Sequence, residues 1–194
     1  MDIRYSCSPR DFRRYTTEET RAEFLVSGLY VADEIRAVYS HVDRMVVFGC
    51  MPVNEAVPLD KGIDCMKSFG TGHVLERREI GIFNIGAGTG TIEADGELFT
   101  LGREDCLYIT KGTRSVVFRS LDPQAPAKFY MVSAPAHTAH RTTFLSIAEA
   151  KKVPLGALET SNKRVINQFI HPAVLPTCQD RKSTRLNSSH GYIS

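Results

Sequence analysis

The chain has 194 residues, of which 42% are hydrophobic and 24% are charged, a balance that is typical of a well-packed globular domain and not of a disordered chain. No apolar run approaches the ~20 residues that span a bilayer, and the polar residues 1–6 lack the layout of a signal peptide, so we expect a cytoplasmic protein without a membrane partner. The net charge is +2, but residues 180–194 hold three basic residues and one acidic residue, which leaves residues 1–179 neutral. Nucleic-acid binding is therefore not indicated.

The first predicted element is a short helix. Thr16 and Glu19 have the spacing of a capping box, and residues 17–26 are good helix formers. From Leu29 onward, short apolar runs rich in β-branched and aromatic residues alternate with glycine and proline, which predicts strands. These runs lie at residues 37–39, 45–48, 105–109, 115–119 and 128–133.

A β-hairpin is predicted around Asp95-Gly96, because this dipeptide supplies the positive φ angles of a two-residue turn between the alternating segments 91–94 and 97–101. Strands at this spacing, without long helices between them, predict an antiparallel β-sandwich or barrel over residues 30–135.

The glycines of Gly86-Ala-Gly88-Thr-Gly90 admit two interpretations. A nucleotide-binding loop would need a different glycine spacing or a lysine, and it would lead into a helix. This segment leads into a predicted strand instead, so a bend or bulge before the hairpin is favoured.

The later part of the chain reads as a connector followed by the start of a further unit. Ser146 and Glu149 predict one helical turn that stops at Pro154, and residues 165–170 predict a strand leading out of the first domain. Residues 180–194 resemble the translation of a sequencing-library adapter, and we expect no regular structure there and a natural sequence that ends at Gln179. The predicted units are an N-terminal arm (1–28), a β-sandwich (29–145), a connector (146–179) and this tail (180–194).

Cysteine and histidine provide no predicted metal site. The five cysteines are odd in number and form no CxxC pair, which argues against a disulfide framework or a zinc ribbon. Of the six histidines, only His137 and His140 are close in sequence, and two residues fall short of the three ligands that a catalytic zinc needs. His41 is interpreted as a packed histidine at a strand end.

The charged residues 76–79, which follow Leu75, precede an apolar strand. A solvated edge or an intersubunit ion-pair network is the first interpretation. The functional alternative is that Arg77 or Arg78 pairs with the carboxylate of an acidic substrate. Lys128 is a third candidate for substrate binding.

Several blocks together resemble the 5-keto-4-deoxyuronate (4-deoxy-L-threo-5-hexosulose-uronate) ketol-isomerase family. The resemblance covers residues 20–179 and keeps the family's order and spacing. The blocks lie at residues 32–34, 38–44, 51–52, 75–81, 84–86, 111–112, 126–130, 134–138 and 160–162.

The resemblance implies an all-β fold, a cupin-like antiparallel β-sandwich with short peripheral helices that forms the N-terminal half of a bicupin. It also implies a hexameric isomerase of pectin degradation, which interconverts 5-dehydro-4-deoxy-D-glucuronate and 3-deoxy-D-glycero-2,5-hexodiulosonate. In the family, three histidines and one glutamate of the C-terminal half hold a zinc ion that can stabilise negative charge developing on oxygen. No His-x-His followed by Glu occurs here, so no ligand transfers to this sequence, and residues 1–179 alone are expected to be inactive and to bind zinc weakly.

Two alternatives remain open at this point. One is a non-catalytic β-sandwich module that binds sugar acids, since a fold does not fix a function. The other is a structural subunit that pairs with a separate catalytic chain. The DNA sequence beyond the Gln179 codon distinguishes the first alternative from the isomerase, and co-purification with a metal-bearing partner would reveal the second.

Overall fold

The computed structural model describes residues 1–171, 175–178 and 185–187, which are mostly β-strands. The helices are α1 (Pro9–Phe12), α2 (Thr17–Phe24) and α3 (Cys65–Phe69). The strands are β1 (Asp2–Arg4), β2 (Ile35–Ser40), β3 (Met45–Cys50), β4 (Val57–Pro58), β5 (Arg78–Asn84), β6 (Gly90–Ala94), β7 (Glu97–Leu101), β8 (Cys106–Ile109), β9 (Val116–Ser120), β10 (Phe129–Pro135), β11 (Thr143–Leu145), β12 (Lys151–Leu155), β13 (Arg164–Gln168) and β14 (Arg185–Asn187). Across these described ranges, no helix is long and apolar enough to cross a membrane.

The described strands form three sheets. A seven-stranded sheet has the order β1-β2-β3-β10-β5-β8-β11, and a four-stranded sheet has the order β4-β9-β6-β7. The third sheet contains β12, β13 and β14. All strand pairs are antiparallel except β1 with β2, and no pairing among the described strands closes a sheet into a barrel.

The main core lies between the seven-stranded and four-stranded sheets. Phe48 and Phe129 of the larger sheet are fully buried together with Phe118 of the smaller one. The rings of Phe118 and Phe129 are 5.2 Å apart, so side chains of the two sheets meet directly across the interior. The antiparallel β-sandwich predicted for residues 30–135 is confirmed.

A second core covers the outer face of the seven-stranded sheet. Phe83 and Tyr108 pack there against Phe169, Ile170 and Leu175, all of which are buried. The strand predicted near residues 165–170 is present as β13, but it pairs back on β12 and the residues after it return to the sheet. The connector therefore packs on the first domain.

The connector also differs from its prediction at Pro154. Glu149 N donates to Ser146 O at 3.0 Å, which closes a single turn, but Pro154 lies within β12, opposite Val165. Proline is tolerated at this position because β12 is an edge strand, so its missing N–H breaks no central ladder.

The two turn signals of the sandwich are confirmed. Asp95 and Gly96 have φ angles of 46° and 87° and connect β6 to β7, and the Asp95 carboxylate accepts hydrogen bonds from the Arg114 and Ser115 N–H groups. At Gly88, a Cβ would overlap the Ala125 carbonyl oxygen, and one at Gly90 would lie 2.6 Å from Phe129 Cζ. The glycine run thus allows a close backbone approach on the way into β6.

The N-terminal arm contains β1, α1 and α2. The predicted helix is confirmed as α2, which has a complete capping box between Thr16 and Glu19, and α1 and β1 were not predicted. Arg4 Nη1 donates to the carbonyls of Glu23 and Leu25 at 3.2 and 2.9 Å, which ties β1 to the end of α2. No residue of the arm is buried.

The tail departs from its prediction. Residues Arg185–Asn187 form β14, which pairs with β13, so the expectation of no regular structure over 180–194 is wrong for these three residues. The other residues of that segment lie outside the described ranges.

The five cysteines are free thiols. Cys50 and Cys65 are buried in the main core, and Cys106 is buried in the second core on the outer face of the larger sheet. Burial raises the pKa of Cys50 to about 12 and that of Cys65 to about 11, so these thiols stay protonated at neutral pH.

Candidate functional site

The first two residues of β5 are charged and buried. Arg78 is 5% exposed and Glu79 is fully buried. Because successive side chains of a strand alternate between the faces of its sheet, Arg78 points between the two sheets and Glu79 points toward the outer face. This placement corrects the solvated-edge interpretation for Arg78 and Glu79, whereas Arg77 is exposed as that interpretation expects.

Arg78 is held by backbone carbonyls and aromatic rings. Its Nη2 donates to Arg44 O at 2.6 Å and to Ser133 O at 2.9 Å. The guanidinium lies 5.8 Å from the ring centre of Tyr39 and 5.4 Å from that of Phe69, within the range of cation–π attraction. Burial lowers the pKa of Arg78 to about 10, so the guanidinium remains charged at neutral pH.

Glu79 is the centre of a buried polar cluster on the outer face. Tyr108 Oη donates to Glu79 Oε2 at 2.7 Å, and Cys178 N donates to the same oxygen at 3.1 Å. Burial, followed by the bond to Glu79, raises the pKa of Tyr108 well above its usual value. Glu79 Oε1 is buried without a hydrogen-bond partner among the described residues.

His140 and Cys178 lie beside this cluster. Cys178 Sγ is 3.8 Å from His140 Nε2 and donates to Thr138 O at 3.4 Å. His140 N in turn donates to Thr110 Oγ1 at 2.8 Å. The segment 175–178 is thereby fastened to the outer face of the sheet, and it closes the cluster from solvent.

The three residues predicted to bind substrate do not share one place. Arg77 is exposed, and its ion-pair partner is its neighbour Glu76, at 3.9 Å. Lys128 lies next to Phe129, which pairs with Asn84 at the far end of β5 from Arg78. Six residues of strand separate these ends, which is roughly 20 Å, so Lys128 and the arginines are too far apart to bind one carboxylate. The Lys128 ammonium instead lies 6.0 Å from the Tyr30 ring centre.

A groove of about 550 Å³ lies between the N-terminal arm and β2. The side-chain cations at or near it are Arg4, Arg36 and Lys61, and each has an acidic partner: Asp2 at 3.0 Å, Glu34 at 2.8 Å and Glu55 at 2.5 Å, respectively. These three side chains are therefore already compensated, whereas the α-ammonium of Met1, which also lines the groove, is in no ion pair of the described structure.

The histidines that the structure describes do not converge on a metal site. Within the part of the chain that the structure describes, no group of three or more His, Cys, Asp or Glu side chains is placed to hold a metal ion. His137 is exposed, and its carbonyl accepts a bond from Lys111 Nζ. His41 stacks on Tyr5, with ring centres 4.6 Å apart, as expected for a packed histidine after a strand end.

Sequence reasoning missed the cluster of Glu79, Tyr108 and Cys178. The three lie on β5, on β8 and in the segment after β13, so only the strand pairing brings them together. One signal was available, because period-two alternation through β5 places consecutive charges on opposite faces of a sheet. When two adjacent residues of a central strand are both charged, at least one of the two side chains must therefore lie on the face that packs against the other sheet and be buried there.

The architecture defines a two-sheet antiparallel sandwich with a filled interior. The family model described as the KduI/IolB family matches residues 28–179. The chain belongs to the KduI/IolB family.

Relatives with closely similar sequences carry one name. The chain is 46% identical over 179 residues to the 4-deoxy-L-threo-5-hexosulose-uronate ketol-isomerase of Escherichia coli O8 (strain IAI1), and 45% identical over the same length to that of Dickeya dadantii (strain 3937). In both cases the match covers 92% of this chain and 63% of the relative. The chain therefore spans less than two thirds of the length of the curated relatives that it matches.

A solved structure shares the fold. An IolB-like protein from Salmonella typhimurium LT2 superimposes with a TM-score of 0.52 over 68% of this chain and 46% of that chain, at 14% sequence identity. A Cupin_2 domain of an XRE family transcriptional regulator from Enterobacter cloacae matches 52% of this chain with a TM-score of 0.39.

Proposed function

We propose that the whole protein is a ketol-isomerase that interconverts 5-dehydro-4-deoxy-D-glucuronate and 3-deoxy-D-glycero-2,5-hexodiulosonate. The observation that carries the proposal is the 46% identity over 179 residues with a relative named as such an isomerase. At this identity the fold and the order of the elements are retained along the whole matched segment, which covers almost all of the described residues.

The residues described here act in this proposal as a scaffold. The space between the sheets is filled by buried aromatic and aliphatic side chains, and the polar cluster at Glu79 is closed by the segment 175–178. Neither place admits a sugar acid, so the reaction itself is assigned to the part of the whole protein that these residues do not include.

The described residues do not fit a zinc site, because no three suitable ligands come together among them. We derive no catalytic step through a metal ion. Zinc is proposed as a cofactor of the whole protein, with ligands elsewhere in it, and a hexamer is proposed as its assembly. A role in pectin degradation and a cytoplasmic location complete the proposal, and the five free thiols are consistent with a reducing compartment.

The proposed substrate-binding residues differ in how accessible their charged groups are to a uronate; they are Arg77, Arg78 and Lys128. Arg77 has the exposed guanidinium that a uronate carboxylate requires. Arg78 would have to give up its bonds to Arg44 O and Ser133 O. Lys128, at the other end of β5, would contact a different group or a different molecule.

The test is to sequence the genomic DNA across the Gln179 codon, to purify the whole protein, and to measure its zinc content and its turnover of 5-dehydro-4-deoxy-D-glucuronate. The proposal expects stoichiometric zinc and turnover in the whole protein and neither in residues 1–179. A native stop codon after Gln179, with uronate binding but no turnover, would instead establish the sugar-acid-binding module.

The substrate contact is tested separately in the active protein. Arg77→Met is expected to raise KM, and Arg103→Met, at another exposed arginine, is the matched control. An unchanged KM for Arg77→Met would remove Arg77 from the substrate site and leave the reaction assignment intact.

A further inference from the structure

The N-terminal arm exposes an aromatic cluster. Phe12, Phe24 and Leu25 are 45%, 49% and 42% exposed. The Phe12 ring meets the rings of Phe24 and Tyr15 edge-on, with centres 5.5 and 6.1 Å apart. Neither α1 nor α2 buries a single residue, although helices this short normally depend on tertiary packing for their stability. The cluster therefore has the character of a surface that another molecule covers.

The positive and negative charges around the cluster lie on two different segments of the arm. Residues 8–14, which include α1, hold three arginines and one aspartate and carry a net charge of +2. Residues Thr17–Phe24 of α2 hold three glutamates and one arginine and carry −2.

Most of these charges have no ion-pair partner among the described residues of their own chain. In the described structure, Arg10, Arg13, Arg14, Glu18 and Glu23 form no ion pair. A basic segment (residues 8–14) and an acidic helix (α2) of equal and opposite net charge thus flank one apolar cluster, and they form no ion pair with each other.

We propose that the N-terminal arm is a contact surface between two copies of this chain, in which α1 of one copy lies against α2 of the other across a two-fold axis. A two-fold contact must be self-complementary, since the same patch meets itself in reverse. Residues 8–14, with a net charge of +2, and α2, with −2, meet this requirement twice in one interface, and the aromatic clusters of the two copies bury each other between them.

This proposal is independent of the catalytic one, because it names a surface and requires no activity. It is tested on the whole protein with two charge-reversal variants, Arg13→Glu/Arg14→Glu and Glu18→Arg/Glu23→Arg. Each variant places like charges opposite each other when two identical copies meet. Each variant alone should therefore show about half the wild-type molar mass or less by light scattering, and the dissociation constant of the contact should rise at least ~100-fold. Glu19 is left intact because it caps α2.

Mixing the two variants provides the decisive measurement. In the first variant both residues 8–14 and α2 are acidic, and in the second both are basic, so a mixed pair is complementary at both contacts. With a different affinity tag on each variant, the wild-type mass should return in a species that contains both tags. Arg103→Glu/Arg114→Glu, at exposed arginines away from the arm, should leave the mass unchanged. Wild-type mass in both separate variants, or failure of the mixture to recover although each variant is folded by circular dichroism, would overturn the proposal.

Discussion

Arg78 and Glu79 carry opposite charges on adjacent residues, yet they cannot neutralise each other because the strand turns them to opposite faces of the sheet. Arg78 is stabilised by two carbonyl oxygens and two aromatic rings. Glu79 is stabilised by one hydroxyl and one backbone N–H. Each residue therefore depends on neutral polar partners, which makes those partners the sensitive positions.

Replacing Tyr108 with Phe should destabilise the protein more than replacing Glu79 with Gln. Tyr108→Phe leaves a buried carboxylate without its hydroxyl donor, which costs about 1–3 kcal/mol. Glu79→Gln keeps an oxygen acceptor for both donors and removes a buried charge that has no cation beside it, so a change of less than about 1 kcal/mol is expected. Urea unfolding followed by circular dichroism measures both. The reverse order would mean that the carboxylate charge is itself compensated.

Arg78→Met should lower the free energy of unfolding by about 1.5–3 kcal/mol, because the carbonyls of Arg44 and Ser133 lose a charged donor. Arg77→Met is the matched control, since its side chain is exposed and surface substitutions usually stay within about 0.5 kcal/mol. Equal losses for the two variants would show that the buried guanidinium is not what secures the end of β5.

At the scale of elements, what could be predicted depended on whether the signal was local. Three features depend on only a few neighbouring residues each, and all three are present in the structure: the hairpin at Asp95-Gly96, the capping box of α2 and the strands of the sandwich. Strand β1 has only three residues and pairs with β2 from 36 positions away, so no local pattern marks it. The local sequence predicts Pro154 as a helix stop, but its true place on a sheet edge is decided by pairing with β13, which no local pattern shows.

The candidate site could not be predicted from the sequence either, because its residues are distant from one another along the chain. The partners of Glu79 are 29 and 99 residues away in the chain. Charged residues are normally exposed, and only the strand register of the complete sheet overrides that expectation.

Gly88→Ala should destabilise the sandwich by about 1–3 kcal/mol, because the new methyl group would overlap the Ala125 carbonyl and the backbone would have to move. Gly72→Ala is the control: its Cβ would meet only the end of the Glu76 side chain, at 3.4 Å, and should change the stability by less than about 0.5 kcal/mol. Thermal unfolding of the two variants side by side measures both changes in stability. An unchanged stability for Gly88→Ala would mean that the backbone of residues 125–128 can move away from residue 88 at little cost.

At the scale of the whole molecule, stability should fall above pH 10. Burial raises the pKa of Tyr30 to about 12 and also raises that of Tyr130, whereas unfolded tyrosine ionises near pH 10. Between pH 10 and 12 the unfolded chain therefore binds fewer protons than the folded one, and the free energy of unfolding decreases as the pH rises.

Urea midpoints at pH 8, 10 and 11.5 measure this decline. The variant Tyr30→Phe/Tyr130→Phe has lost both of these ionisable groups and should show a shallower decline than the wild type. Parallel declines in the two proteins would assign the alkaline sensitivity to other groups.

The buried thiols give the molecule an internal reporter of its own motions. Cys50 and Cys106 lie on β3 and β8 within the larger sheet, and Cys65 begins α3, so each can be alkylated only when its surroundings open. The order in which a thiol reagent modifies them at neutral pH therefore ranks the local opening free energies of three regions in a single mass-spectrometric time course. We expect Cys65, in a short helix outside the sheets, to be modified before the two strand cysteines.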